Sequence, residues 1–453
     1  MRVLTFKGGV HPPEEKHHTE GKAIEDIPLP DRVFIPLSQH TGAPARALVK
    51  KGDRVKKGQM IGEAAGYISA HVHASISGTV VRVANYPHPF GKPQPAVEIE
   101  SDGKSYGFDE SGEDEPDTSP SSISDWERAD PEDLKRRILE AGIVGMGGAT
   151  FPTHVKLSPP EGKSIDALIL NGAECEPYIT ADHRLMLEAP EKVVTGIRII
   201  MRILGISEAT IAIENNKPDA IARISESARE FPGIRVVAMR VKYPQGSEKQ
   251  LIKAVLNRDV PSGGLPMDVS ALVQNVGTAV AIFDAVNSAK PLIERIVTVT
   301  GSAIKEPKNL RARIGTPVSR LVEFCGGVNG DAGKVILGGP MMGLCQSTLD
   351  VPVIKGTNGV LVLRRKDVKI SDPGPCIRCG SCVRACPMFL LPNTIGLFVR
   401  MDRIEEAQAY RVMDCMECGS CAYVCPSHIP LVHLFRYAKS EIMAKRKKEQ
   451  GKK

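Results

Sequence analysis

The chain has 453 residues, of which 42% are hydrophobic, and its formal net charge is +6. That length exceeds what one hydrophobic core supports, so we expect three or four domains. The most apolar run, residues 193–204, contains Arg198 and Arg202 and is too short for a membrane helix, so no membrane span is predicted. Residues 1–10 contain Lys7 and two glycines but no long apolar core, so no secretory leader is predicted.

Residues 31–100 predict short strands separated by glycine turns, because apolar and polar positions alternate around the glycines of 49–61 and 77–83. The pattern resembles the flattened β-sandwich of biotinyl and lipoyl carriers. A carrier needs an exposed lysine at a hairpin tip, and residues 70–74 contain none. We therefore expect residues 1–108 to form an N-terminal barrel-sandwich domain with a docking or structural role.

The middle of the chain predicts a parallel α/β sheet. An acidic linker, 109–129, is followed by a helix with Asp130 as N-cap and Pro131 at its first position. Strands and helices then alternate, which favours a Rossmann-like domain over 130–291. The predicted strands are 167–170, 209–213 and 234–241, and the predicted helices are 191–204 and 218–230.

The remaining residues divide into three further regions. A small β-grasp domain is expected over 292–365, from strands at 295–300 and 334–337 and a helix at 316–325. Within it, Cys325 and Cys345 are expected to be buried apolar residues. A cysteine-rich domain follows over 366–440, with an amphipathic helix at 395–410, and 441–453 are expected to form a basic tail.

Three polar loops are predicted near the strand ends of the α/β sheet, where open sheets of this class bind ligands. The first, 145–156, is rich in glycine, which lets backbone N–H groups approach an anion closely, and Lys156 adds charge. The others are 171–178 and 243–250. From the residues alone, Glu174 and Glu248 are equally consistent with ligand binding and with helix capping or solvation of a turn.

Eight of the eleven cysteines form two copies of a Cys-x-x-Cys-x-x-Cys-x-x-x-Cys-Pro run. Two such runs are typical of a bacterial-type ferredoxin domain with two [4Fe–4S] clusters, in which the fourth cysteine of each run binds the other cluster. Zinc sites and disulfides do not need a third cysteine two residues beyond a Cys-x-x-Cys pair. One cluster is thus assigned to Cys376, Cys379, Cys382 and Cys425, and the other to Cys415, Cys418, Cys421 and Cys386.

The order of these loops resembles the flavin- and NADH-binding subunit of respiratory complex I. The whole arrangement, with residues 8–14 and 171–178 as further motifs, resembles the C subunits of Rnf complexes. This implies electron exchange between ferredoxin and NAD, coupled to Na⁺ or H⁺ translocation by partner subunits. The implied partners are the A, D, E and G membrane proteins of the complex, its iron–sulfur B protein and, indirectly, ferredoxin. The implied location is the cytoplasmic face of the cell membrane, and nothing indicates nucleic-acid binding.

The resemblance also implies a binding site for FMN and for NAD(H) as substrate. Glu248 would lie near the flavin ring and the nicotinamide, acting with Glu174, and as a buried acid it would tune the flavin potential. Phe151 and Glu176 would meet the adenine end. The flavin phosphate and ribityl chain would contact Gly145, Gly147, Gly148 and Lys156, and the rest of the site would be lined by Asn171, Glu174, Tyr243, Gly246, Gln274, Asn275 and Thr278.

Several positions depart from the complex I pattern, which has Arg, Asp and Glu where Met146, Ala173 and Ser247 stand, and a further aromatic near Pro159. A flavin-dependent cobalamin reductase resembles the same subunit, but its sandwich-like module follows the flavin domain. A cluster-binding scaffold without flavin is the second alternative. The related subunit of the sodium-pumping quinone reductase lacks the cluster cysteines.

Overall fold

The N-terminal segment connects several parts of the molecule. The computed structural model of the protein describes residues 3–103, 122–123, 125–368 and 371–450. Leu4 forms a parallel bridge with Met239, a 3₁₀-helix spans Lys16–His18, and strand β1 (Ile24–Asp26) pairs with a strand near residue 310. The range expected for the sandwich, 1–108, therefore includes an N-terminal segment that packs against other units. Its short strand is stable only when paired with theirs, because an isolated short strand buries too little surface.

The sandwich unit, residues 31–103, consists of two small sheets with the strand orders β2-β8-β7-β4 and β3-β5-β6. Its inward residues, such as Val33, Ile61 and Val97, are fully buried, and their cluster continues without a break to Leu134 in the next unit. Its strands are β2 (Arg32–Pro36), β3 (Arg46–Ala47), β4 (Arg54–Val55), β5 (Met60–Glu63), β6 (Val72–His73), β7 (Gly78–Tyr86) and β8 (Gln94–Ser101).

The expected linker lies mostly outside the described residues, but its end is packed. Trp126 is buried and lies 5.0 Å from the guanidinium of Arg198. The helix that follows begins as predicted, since the Asp130 side chain accepts a hydrogen bond from Glu132 N at 3.0 Å and Pro131 occupies the first position. The last residues of the expected linker thus belong to the folded unit.

The α/β unit, residues 125–291, has a four-stranded sheet in the order β11-β10-β9-β12, and all neighbouring strands are parallel. The parallel sheet is therefore confirmed, and the carboxyl ends of its strands share one edge. Its strands are β9 (Ala167–Gly172), β10 (Ala209–Glu214), β11 (Ile234–Met239) and β12 (Ala271–Asn275). Its helices are α1 (Pro131–Glu140), α2 (Thr153–Lys156), α3 (Ala181–Glu188), α4 (Pro190–Leu204), α5 (Pro218–Ser227), α6 (Glu248–Leu256) and α7 (Val276–Asn287), with a 3₁₀-helix at Pro266–Val269.

The β-grasp unit, residues 292–368, is a mixed six-stranded sheet that includes β1, in the order β1-β14-β13-β17-β15-β16. Cys325 is buried, as predicted, whereas the expectation for Cys345 is wrong, because it lies on the short edge strand β16 and is exposed. The elements are β13 (Glu294–Thr300), β14 (Lys308–Arg313), α8 (Val318–Phe324), β15 (Ala332–Leu337), β16 (Leu344–Gln346) and β17 (Gly359–Arg364), with a 3₁₀-helix at Arg365–Asp367.

The cysteine unit, residues 371–450, differs from the prediction in two places. The single helix expected over 395–410 is two helices, because the chain turns at Asp402, whose φ is +55°. Residues 441–450 of the expected basic tail continue the last helix, because Phe435, Ala438 and Ile442 form a buried apolar stripe on it, and the rest of the tail lies outside the described residues. The helices are α9 (Ser381–Ala385), α10 (Pro392–Arg400), α11 (Ile404–Ala409), α12 (Ser420–Tyr423) and α13 (Leu431–Gln450), with a 3₁₀-helix at Val412–Asp414.

Among the described residues, no helix is long and apolar enough to cross a membrane.

Candidate functional site

Two of the predicted polar loops meet at the carboxyl edge of the parallel sheet. Asn171, at the end of β9, donates from Nδ2 to the carbonyl of Gly246 at 2.8 Å. Its Oδ1 accepts a hydrogen bond from Ala173 N at 3.1 Å. One side chain thus ties the loop after β9 to the loop after β11, as expected for strand ends on one edge.

The glycine loop is fixed by the N-terminus of α7. Thr278 Oγ1 accepts a hydrogen bond from Met146 N at 2.9 Å, and Asn275 Oδ1 caps the helix by accepting from Gly277 N at 2.8 Å. Gly148 has a φ of +107°, and a Cβ built on it would meet nothing within 4 Å. The loop therefore presents open backbone at Gly148, while Thr278 bonds it directly and Asn275 acts on it by capping the helix that carries Thr278.

Lys156 and Glu248 form an ion pair beside this loop, with 2.5 Å between Nζ and Oε1. Their side chains are 23% and 37% exposed. The description of Glu248 as a buried acid is therefore wrong, because it starts α6 at the surface of the site, where its carboxylate can face both a ligand and the α6 N-terminus.

Glu174 caps helix α3, an element that the sequence patterns did not predict. Its two carboxylate oxygens accept hydrogen bonds from Asp182 N at 2.6 Å and His183 N at 3.2 Å. Loss of hydration raises the pKa of Glu174 to about 7. Of the two alternatives for Glu174, ligand binding and helix capping, the structure therefore shows helix capping.

Glu176 faces the β-grasp unit. Its carboxylate accepts hydrogen bonds from Met341 N at 3.1 Å and Met342 N at 2.9 Å. Loss of hydration raises the pKa of Glu176 to about 7. Contact with a dinucleotide would require this carboxylate to leave two backbone donors. Phe151, its expected companion, is partly buried, and its carbonyl accepts from Gly145 N at 2.8 Å.

Unpartnered polar groups line the same region. Among the described residues, the buried atoms without a hydrogen-bond partner include Tyr243 Oη, Gln274 Nε2 and both amide atoms of Gln245. Each costs about 1–3 kcal/mol if it stays unsatisfied. A ligand rich in donors and acceptors, as a flavin is, fits this arrangement. The sequence analysis missed Gln245, although its position between Tyr243 and Gly246 was a signal.

The eight run cysteines line two cavities, and each cavity takes its fourth cysteine from the other run. Cys376, Cys379, Cys382 and Cys425 line the first cavity, and Cys386, Cys415, Cys418 and Cys421 line the second. These are the sets expected from crossed ligation. Four thiols around one cavity is the ligand set that a [4Fe–4S] cluster requires, so the residues fit the two clusters.

The second cavity lies against the α/β unit. The Ser247 hydroxyl is 3.7 Å from Met416 Sδ, and Gln250 Nε2 donates to the carbonyl of Pro387 at 3.2 Å. Tyr243 also packs in one apolar cluster with Cys418. By contrast, Cys376 and Cys379 of the first cavity are exposed. One cavity thus faces the loops of the sheet and the other faces outward.

The N-terminal segment is a further contributor that the sequence analysis did not identify. The ammonium of the buried Lys16 donates to the backbone carbonyls of Glu174 at 2.9 Å and Glu176 at 3.0 Å. Burial lowers the pKa of Lys16. Since no local pattern marks Lys16, only the tertiary structure reveals that it holds the loop after β9.

Four family models match the chain in the order of these units. They are the RnfC barrel sandwich hybrid domain over residues 4–104, the Nuo51 FMN-binding domain over 138–284, the SLBB domain over 296–344 and the 4Fe-4S dicluster domain over 368–426. The predicted fold classes are therefore confirmed.

Curated relatives match nearly the whole chain. The C subunit of the proton-translocating ferredoxin:NAD(+) oxidoreductase complex of Clostridium ljungdahlii is 51% identical over 99% of this chain and 96% of the relative. The C subunit of the Na(+)-translocating complex of Acetobacterium woodii is 46% identical over 98% of both chains. The C subunit of the ion-translocating oxidoreductase complex of Rhodobacter capsulatus is 42% identical over 98% of this chain and 84% of its own length.

Proposed function

Because the chain belongs to the family of C subunits of Rnf-type ion-translocating ferredoxin:NAD⁺ oxidoreductase complexes, we propose that its α/β unit exchanges hydride with NAD(H) and its cysteine unit carries the electrons onward. The chain is an electron-transfer subunit of such a complex, and its cofactors are FMN and two [4Fe–4S] clusters. A bound flavin accepts or gives a hydride on one side and single electrons on the other.

The glycine loop binds the phosphate end of FMN. Gly147 and Gly148 supply backbone N–H groups without a side chain in the way, and Lys156 supplies positive charge. Gly145 shapes the loop, because its N–H is bonded to the carbonyl of Phe151. The support for this role is the open backbone at Gly148 and the ion pair that keeps Lys156 beside the loop. Thr278 positions the loop through its hydrogen bond to Met146, and Asn275 caps the helix that carries Thr278.

The residues where the loops after β9, β11 and β12 meet would hold the flavin ring. Asn171, Gly246, Gln274 and Tyr243 line it, and the unpartnered groups of Gln274 and Tyr243 support this role, since a polar ring edge would satisfy them. Glu248 contacts the reacting region, while Glu174 positions the loop by capping α3. Phe151 belongs to the adenine end of the dinucleotide, and Glu176 would join it there only after its carboxylate released the backbone donors of Met341 and Met342.

Cys386, Cys415, Cys418 and Cys421 would hold the cluster nearer the flavin site, and Cys376, Cys379, Cys382 and Cys425 would hold the outer cluster. Two clusters held in this order would supply one-electron transfer from the flavin site outward. The observation that carries this order, and the proposed function as a whole, is the contact between the Met416 loop and Ser247 at the flavin site. The crossed ligation ties both clusters into one unit.

The outward cluster faces a partner protein. Around its cavity lie the exposed Ile377 and Leu397, which are 65% and 54% exposed, together with Arg378 and Arg400. Apolar side chains edged by cations suit an acidic redox partner. We assign this face to the iron–sulfur B protein of the complex or to one of its A, D, E and G membrane proteins. The chain is peripheral, at the cytoplasmic face of the membrane, and translocation of Na⁺ or H⁺ is carried out by the membrane proteins.

Anaerobic purification of the chain tests this function. We expect about eight iron atoms and one FMN per chain, from two four-iron clusters and one flavin. NADH should bleach the flavin absorption and then generate the spectroscopic signals of reduced clusters. Glu248→Ala should keep the iron and the dithionite-reduced cluster signals but lose NADH-dependent dye reduction, whereas Glu323→Gln, in the surface ion pair with Arg320, should behave like wild type. A chain that retains iron but binds no added FMN would contradict the proposal.

A further inference from the structure

The sandwich unit contacts the glycine loop through Thr41. Thr41 N donates to the carbonyl of Thr150 at 3.1 Å, and Thr41 Oγ1 donates to the carbonyl of Ala149 at 2.9 Å. Thr150 directly precedes Phe151 at the adenine end of the proposed dinucleotide site. The sandwich unit therefore lies directly beside that end of the site.

The part of the sandwich next to Thr41 is the tip of the β5–β6 hairpin, which carries Tyr67 and Ile68. Ala43 N donates to the carbonyl of Ile68 at 3.0 Å, and a Cβ on Gly42 would lie only 2.0 Å from the same oxygen. From the other side, the ring of His154 on α2 lies near the backbone of Tyr67. The backbone of the tip thus lies between its own sandwich and the helix that follows the glycine loop.

The side chains of the tip remain exposed. Tyr67 is 68% exposed and Ile68 is 41% exposed, although both are large and partly or wholly apolar. An aromatic ring on a fixed backbone loses little entropy when a planar ligand stacks on it. Residues 41–43 join this tip to the glycine loop, because Ala43 N bonds the carbonyl of Ile68 and Thr41 bonds the carbonyls of Ala149 and Thr150. The exposed ring is therefore carried by a segment that is anchored to residues 149–150 of the loop.

We propose that Tyr67 stacks on the adenine of NAD(H), so that the sandwich unit completes the dinucleotide site. Ile68 covers the edge of the same ring. The inference rests on the proposed function, because it takes the glycine loop and Phe151 as parts of a flavin and NADH site. It gives the sandwich a role that a carrier domain without a lysine does not otherwise have.

Tyr67→Ala in the full chain, purified anaerobically with its cofactors, tests the inference. Isothermal titration calorimetry with ADP-ribose, which carries the adenine but no nicotinamide, measures binding without any redox reaction. We expect the Kd for ADP-ribose and the KM for NADH to rise roughly tenfold, the size typical of losing one base–aromatic stack. The KM for reduced nicotinamide mononucleotide, which lacks adenine, should stay at the wild-type value, and so should the flavin content.

Matched variants separate stacking from general damage. Tyr67→Phe keeps the ring and should restore wild-type binding, and Tyr437→Ala removes a 48% exposed tyrosine on α13 and should change neither constant. An ADP-ribose Kd within about twofold of wild type in Tyr67→Ala, or an equal rise in KM for both reduced nucleotides, would overturn the role of Tyr67. Wild-type protein that holds FMN but oxidises neither nucleotide would instead overturn the proposed function, and this inference with it.

Discussion

Val10 and Tyr243 exchange two backbone hydrogen bonds, Val10 N to Tyr243 O at 2.8 Å and Tyr243 N to Val10 O at 2.9 Å. One residue earlier, Gly9 N donates to the carbonyl of Ala385 at 2.8 Å, directly before the ligand-run Cys386. The N-terminal segment thus bonds the proposed flavin loop on one side and the cluster unit on the other. It sets how these two parts lie relative to each other.

Gly9→Ala should loosen this junction. Gly9 has a φ of +79°, and an added Cβ would lie 2.6 Å from the carbonyl oxygen of Tyr243, so the segment must shift. Left-handed backbone alone costs about 1–2 kcal/mol for alanine. We expect NADH to reduce the flavin at the wild-type rate but the clusters more slowly, as followed by anaerobic rapid mixing. Gly52→Ala is the control, because Gly52 has a φ of +91° and open space around it. Equal cluster reduction in both variants would refute the role of the junction.

Cys386→Ser and Cys425→Ser should each damage the cluster of the other run. Each variant should lose about half of its iron, since each cluster needs four thiolates. Because the Cys386 cavity faces the α/β unit, Cys386→Ser should keep flavin reduction by NADH but block reduction of the remaining cluster. Cys425→Ser should leave the inner cluster reducible by NADH. Electron paramagnetic resonance of the reduced clusters checks both variants. Cys418→Ser removes a ligand of the same cluster as Cys386→Ser, and Cys379→Ser a ligand of the same cluster as Cys425→Ser, so each pair should lose the same signal. Loss of only the cluster bound by the variant's own run would show that ligation is not crossed.

Ile377→Glu should weaken transfer out of the outer cluster. A negative charge among apolar side chains and Arg378 opposes an acidic partner, and interface charges of this kind act on association. In the assembled complex we expect ferredoxin-dependent NAD⁺ reduction to fall several-fold, while NADH-dependent dye reduction by the isolated chain is unchanged. Leu48→Glu, at a 48% exposed position of the sandwich, is the control. Full ferredoxin-dependent activity in Ile377→Glu would exclude this face.

Lys355 should make stability depend on pH. Its buried ammonium donates to the carbonyls of His71 and Gly142 at 2.6 and 2.7 Å, and burial lowers its pKa to about 7. The pKa of an unfolded lysine is about 10.4, so between these values the unfolded state binds more protons and stability rises with pH. The gain for this group is about 2 kcal/mol between about pH 7 and 9.

Lys355→Met removes that titration, and the thermal midpoint measures it through the fluorescence of Trp126, the single tryptophan. The midpoint of wild type relative to Lys355→Met should increase from about pH 7 to about pH 9. A difference that is constant with pH would mean that Lys355 keeps an ordinary pKa in the folded protein.

The cluster cysteines were predictable because ligand chemistry fixes their spacing along the chain, and the parallel sheet because strands and helices alternate with clear periods. The linking helix was mispredicted because an amphipathic pattern runs across the turn at Asp402. The basic end was mispredicted because Phe435, Ala438 and Ile442 are sparse among charged residues.

The amino-acid sequence by itself determined the two cluster sites, the order of the units and the positions of the polar loops, since these depend on local spacing and residue type. FMN followed only from the resemblance of the whole arrangement to a known family. Only the tertiary structure decided what those residues contact. Glu174 caps a helix, Glu176 binds backbone of the β-grasp unit, and the second cavity faces the loop after β11. Lys16 and Thr41 come from parts of the chain far from the loops that they contact, and such contacts arise from packing between units, which no pattern of neighbouring residues encodes.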